Sequence, residues 1–185
     1  MTPERLLLIV EAALLAAGQP LSLERLLTLF DEREGVSRDT LRKALAELAL
    51  RCEGGALELR EVGSGWRLQV RGELTPWLAR LWQERPQRYS RAVLETLAII
   101  AWRQPVTRGE IEDIRGVSVG TPIIRGLEER EWIRVIGHRD VPGRPALFGT
   151  TRHFLDHFNL KSLDELPSLA ELRDIERINE ELDLQ

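Results

Sequence analysis

The sequence is short of cysteine, lysine and unbroken apolar runs. One cysteine in 185 residues, Cys52, excludes an intrachain disulfide framework and a cysteine-rich zinc site. No apolar stretch approaches the ~20 residues that cross a bilayer. The start, Met1-Thr2-Pro3-Glu4-Arg5, lacks a secretory leader's basic region, and no small-residue cleavage pattern follows its apolar stretch. These absences point to a soluble, reducing, cytoplasmic setting. A large single-sign charge is absent too. Twenty-six Lys+Arg face 30 Asp+Glu, a net charge of −4. Residues 1–84 carry 11 basic and 13 acidic groups, residues 85–160 carry 12 and 9, and residues 161–185 carry 3 and 8. None of these segments has the basic excess of a dedicated nucleic-acid binder, and the acidic end repels phosphate. Only Lys43 and Lys161 are lysines, a skew that reflects genome composition more than function.

What is present is a hydrophobic content of 43%, enough for a core, in a length that allows two small domains. Residues 3–17 show helical spacing of Leu6, Leu7, Val10, Leu14 and Ala17, closed by Gly18-Gln19-Pro20. Ser22 caps a second helix bearing Leu23, Leu26, Leu27 and Phe30, which Gly35 breaks. Ser37 caps a third with Leu41, Ala44, Leu45 and Leu48. Two alternating runs, 56–62 and 66–70, joined by Gly63-Ser64-Gly65, read as a hairpin. Three helices and a hairpin are the order of a winged helix. A short helix over 73–83, interrupted early by Pro76, leads to the polar linker 84–88.

The pattern then returns at an offset of 85: Gln19-Pro20 matches Gln104-Pro105, Ser22 matches Thr107, Leu26 matches Ile111 and Leu29 matches Ile114. Ser90 caps a helix with Val93, Leu94, Leu97, Ala98 and Ala101. Gly116-Val117-Ser118 parallels Gly35-Val36-Ser37, with Ser118 as the N-cap of a helix holding Ile123, Ile124 and Leu127. Strands 132–135 and 146–149 flank a loop, 137–145, stiffened by Pro142 and Pro145. Thr151 caps a short helix through Phe154, Leu155 and Phe158. The fold expected is mostly α with small β-wings: a winged-helix domain over 1–84, a second over 85–160 and an acidic amphipathic tail over 161–185. The tail is expected to be helical from about 168 to 182.

The second half resembles the ScpB family, segregation and condensation protein B. The resemblance runs through Leu94-Glu95-Thr96-Leu97-Ala98-Ile99-Ile100-Ala101-Trp102-Arg103-Gln104-Pro105, Glu112-Asp113-Ile114-Arg115-Gly116-Val117, and Gly137-His138-Arg139-Asp140-Val141-Pro142-Gly143-Arg144-Pro145. It closes on Leu160-Lys161-Ser162-Leu163-Asp164-Glu165-Leu166-Pro167. It implies a non-enzymatic accessory subunit of the bacterial SMC condensin, without cofactor or metal. Such a subunit dimerises through its first domain and clasps the central region of the kleisin ScpA. Its implied role is chromosome condensation and segregation at the nucleoid. The residues assigned to the partner are Arg103, Arg108 and Arg115 on the helices, and Arg139 and Arg144 on the wing.

Other readings compete. A winged helix also suits a DNA-binding transcription regulator, which needs exposed cations on its third helix. The first domain offers Arg38, Arg42, Lys43 and Arg51 against Asp39 and Glu47. The second offers Arg125 and Arg130 against Glu128, Glu129 and Glu131. Gly116-Val117-Ser118-Val119-Gly120 spells the hydrolase pattern G-x-S-x-G, but that chemistry needs a strand before the serine and a large parallel sheet, which the pattern does not offer. His153 and His157 stand one helical turn apart without the further ligands a metal needs. Cys52 follows Arg51, an adjacent cation that favours the thiolate, although a half-buried structural thiol fits the position better. Arg144 beside Asp140 suits an ion pair that shapes the loop. Trp77 and Trp82 are expected to pack across a subunit or domain boundary.

Overall fold

The computed structural model describes residues 1–82 and 89–166. Helix α1 spans Pro3–Ala17. It is opened by the Thr2 side chain accepting from the Arg5 N–H and closed by Gly18 in the left-handed conformation. Ser22 caps α2, Leu23–Leu27, and Ser37 caps α3, Arg38–Arg51. The second helix is shorter than its apolar spacing suggests. It ends at Leu27, and Phe30 lies beyond it. Asp31 then starts a separate one-turn 3-10 helix, Glu32–Glu34, and Gly35 closes that turn rather than α2. Strands β1 (Leu57–Val62) and β2 (Gly65–Val70) form an antiparallel hairpin in which Val62 faces Gly65. Leu21 bridges to Trp66 as a third short edge. This approach requires glycine at 65: its φ is +138°, and a Cβ there would stand 2.2 Å from the Leu21 carbonyl oxygen. Pro76 falls in the first turn of α4, Thr75–Trp82, where its missing N–H costs nothing. It starts this helix rather than interrupting it.

The second domain repeats the plan. Its elements are α5 (Arg91–Arg103), β3 (Val106–Thr107), α6 (Arg108–Arg115), α7 (Thr121–Glu129), β4 (Ile133–His138), β5 (Ala146–Thr150) and α8 (Arg152–His157). The sheet order is β3-β5-β4, antiparallel throughout. The offset of 85 holds in three dimensions. Leu21 and Val106 both supply the short third edge, Ser22 and Thr107 both cap the second helix, and Leu26 and Ile111 are both fully buried. Each domain has its own core. Val10, Leu26, Leu41 and Leu48 anchor the first; Ile100, Ile111, Leu127 and Trp132 anchor the second. Caps, glycines and helical spacing therefore specify one winged-helix unit twice.

Two local expectations are corrected. The N-cap of α7 is Gly120, not Ser118; Pro122 in the first turn starts the helix, and Ser118 stays exposed in the loop before it. Leu94 is 45% exposed rather than core, because α5 turns Leu97 and Ile100 inward. The expected tail helix and the linker lie outside the described residues.

Candidate partner-binding surface

Helix α5 sets Glu95, Ala98, Ile99, Trp102 and Arg103 on its outer side at spacings of three and four residues. Ile114 and Arg115 of α6 complete a groove of about 350 Å³ whose floor is apolar. Ile114 is 52% exposed at its mouth. Arg115 is not a free surface cation: its side chain is only 8% exposed, and its Nη2 pairs with Glu95 at 3.2 Å. Its buried Nε finds no hydrogen-bond partner among the described residues. Glu95 also accepts from Arg91 at 2.7 Å. Arg91 first, and Arg115 second, hold its carboxyl below the usual range.

Arg108 stands at the start of α6 and serves the fold. It donates to Glu112 at 3.1 Å, to Thr121 at 3.2 Å and to the Val119 carbonyl. Glu112 in turn accepts the Val119 N–H at 2.8 Å, which with Arg108 lowers its pKa. The loop carrying Ser118 is thereby braced onto α6. A helix, not a strand, precedes Ser118, and the sheet beside it is small and antiparallel, so among the described residues the support a nucleophile elbow needs is missing.

On the wing, Arg139 bonds Glu110 at 2.5 Å across to α6. The carboxylate of Glu110 also accepts the Thr107 N–H at 2.8 Å, closing a capping box. The Thr107 N–H and then Arg139 pull Glu110 down to about 2. The loop's ion pair therefore joins Arg139 to Glu110. Arg144 makes no pair with Asp140 among the described residues; it is exposed, at φ +39° beside Gly143 at +86°, on the tip of the turn. Of the five assigned arginines, three are committed to internal pairs. Arg103, at the groove rim, and Arg144, on the wing, keep exposed charges. The structure brings Arg103 and Arg115 into one groove and puts Arg108, Arg139 and Arg144 elsewhere on the domain. Glu110 went unassigned, although Thr107-Arg108-Gly109-Glu110 spells the capping-box signature. The groove residues Ile99, Trp102 and Ile114 went unassigned too, and apolar side chains facing away from the core are their signal.

Most cations that the third helices offer to DNA already face carboxylates. On α3, Arg42 pairs with Asp39, Arg51 with Glu47, and Arg38 with Glu24 of α2. On α7, Arg125 pairs with Glu129 at 2.8 Å. Arg130, just past it, lies over the rings of Tyr89 and Trp132. Each carboxylate offsets a cation that phosphate would need. His157 packs against Trp132, with centroids 4.6 Å apart, and this burial, then His153 and Arg67, lowers its pKa. Among the described residues no three His, Cys, Asp or Glu side chains gather as a metal site. Burial raises the pKa of Cys52, the reverse of an activated thiol.

A family model described as segregation and condensation complex subunit ScpB matches residues 8–169. The chain belongs to the ScpB family. It is therefore a non-enzymatic subunit of a complex that segregates and condenses chromosomes. A segregation and condensation protein B homolog of Coxiella burnetii is 54% identical over 171 residues, 92% of this chain and 82% of the relative. The segregation and condensation protein B of Syntrophotalea carbinolica is 44% identical over 94% of this chain and 87% of its own length. Among solved structures, ScpB from Mycobacterium tuberculosis is 30% identical, covering 86% of this chain and 98% of its own, with a TM-score of 0.40. A dimer of an ScpB N-terminal domain complexed with an ScpA peptide is 31% identical, over 42% of this chain and 95% of that one, with a TM-score of 0.38. No described helix is long and apolar enough to cross a membrane.

Proposed function

We propose that this chain is the ScpB-like subunit that pairs through its first domain and receives a segment of an ScpA-like kleisin, by which it joins SMC at the nucleoid. Membership of the ScpB family over residues 8–169 carries this reading. Two surfaces support it. Helix α1 is apolar on both sides: Leu7 and Val10 face the core, while Leu8 and Leu15 remain 58% and 54% exposed. A helix with leucines on its outer face as well as its inner one expects cover there, and a second copy supplies it. The α5–α6 groove, with its apolar floor and the Arg103 charge at its rim, suits an amphipathic kleisin helix carrying a carboxylate. Arg144 on the stiff wing offers a second charge. Arg108, Arg115 and Arg139 act on the partner indirectly, by shaping α6 and the wing. The α4 segment is a second contact across a boundary: Trp77 is 63% and Leu81 70% exposed.

The test is a titration of a fluorescent central fragment of the kleisin from the same genome. Trp102→Ala and the double variant Arg103→Glu with Arg144→Glu should each weaken binding at least tenfold, about 1.4 kcal/mol, with the circular dichroism spectrum unchanged. Unchanged affinity in both folded variants removes the groove and the wing from the site.

A further inference from the structure

The two domains of one chain meet where the first domain's hairpin turn lies against α8. Gly63 leaves room for Leu155: a Cβ at 63 would stand 2.7 Å from the Leu155 Cβ. The Ser64 N–H donates to the Asp156 carboxylate at 2.9 Å. Arg67 of β2 donates to the Asp156 carbonyl at 2.8 Å and to the Asn159 side chain. Arg67 is itself steadied by Gln69 at 3.0 Å, and Gln69 by Glu58 at 2.7 Å. Asn159 sits at φ +57°, the left-handed conformation that ends α8 and that asparagine tolerates better than most residues. Lys161 reaches back to Glu61 at 2.8 Å. Five contacts thus join the hairpin to α8 and the residues just past it, and they lie far from the α5–α6 groove in sequence.

We infer that this contact is a latch: the first domain's wing, keyed by Arg67, holds α8 and so fixes the two domains of a protomer in one arrangement. The wing of the first domain is then used up inside the chain, whereas the wing of the second remains open to partners. The chemistry is specific. Arg67 supplies the donor that satisfies a helix-end carbonyl and an amide oxygen together, while Asp156 takes the turn's N–H. Glycine at 63 is required by close approach and not by its backbone angle. Alanine there would therefore open the latch without straining the turn.

The test reads the distance between domains. Spin labels go on Arg33→Cys and Glu128→Cys in the full chain with Cys52→Ser, diluted with unlabelled protein so that only distances within one protomer are seen. The latched chain gives a single narrow distance peak. Gly63→Ala, and separately Arg67→Ala with Asp156→Ala, should lose that peak to a broad distribution, with circular dichroism unchanged. Asp156→Asn, whose amide oxygen still accepts from Ser64, should keep it. A broad distribution in the parent, or a narrow one surviving in both latch variants, overturns the inference. This outcome is independent of kleisin affinity, so the latch and the proposed function fail separately.

Discussion

Glu110 ties the start of α6, the Thr107 hydroxyl and the wing arginine Arg139 to one carboxylate. Its pKa in the folded chain, about 2, lies below the ordinary 4.5. The folded state therefore binds this proton less readily than the unfolded one. The stabilisation is complete above about pH 4.5 and is lost as the pH falls toward 2. Glu110→Gln keeps an oxygen for the Thr107 N–H but loses the charge that Arg139 faces, and should destabilise the second domain by about 1 kcal/mol at pH 7, the difference between a charged and a neutral hydrogen bond. Urea denaturation of the two proteins should differ at pH 7 and converge as the pH approaches 2. A difference that persists in acid contradicts this role. Arg139 shows what residue type alone does not reveal. A basic residue on a wing reads as a partner contact, yet the fold turns it inward onto a carboxylate 29 positions away. Such pairings depend on tertiary register and leave no local signal. The capping box did leave one, because its spacing is fixed by the helix itself.

At the scale of elements, helix starts were the most legible features. Ser22, Ser37, Ser90, Thr107 and Thr151 all accept from an N–H three residues on, and Thr2, which the sequence reading passed over, does the same. Ends were harder to read. Helix α2 stops at Leu27 though apolar spacing continues, because Asp31 and Glu34 cap a competing turn. The α7 start was misread as Ser118 because the match to Ser37 was carried further than the chain follows it. Helix α1 has the clearest unspent surface. Leu8→Glu with Leu15→Glu should leave the core intact, since both side chains point away from it, and should halve the solution mass by light scattering. A dimer that survives both charges would move the subunit contact elsewhere. Helix α4 makes its own prediction. The Trp77→Ala, Trp82→Ala double variant should change solution mass or kleisin affinity, and if it stays folded with both unchanged, α4 is no contact.

At the scale of the molecule, duplication explains most of what could be read. One pattern of caps, glycines and buried leucines is used twice, 85 residues apart, and each copy builds its own core. What the pattern does not encode is how the copies meet. The latch joins Ser64 and Arg67 to Asp156 and Asn159, about 90 residues away, through polar atoms and one missing Cβ. The groove was half legible: Arg103 and Arg115 were marked, but Ile99, Trp102 and Ile114, the apolar floor between them, were not. Family membership makes this pair of winged helices a condensin subunit, and most cations of the two third helices face neighbouring carboxylates. One experiment separates a kleisin-binding subunit from a reader of bases directly. The full chain is titrated into the fluorescent central kleisin fragment, and separately into fluorescent duplex DNA, near 0.15 M salt. Tight kleisin binding, with DNA binding that is weak and vanishes as salt rises, is the predicted result. Sequence-selective DNA binding with no affinity for the kleisin would contradict the account.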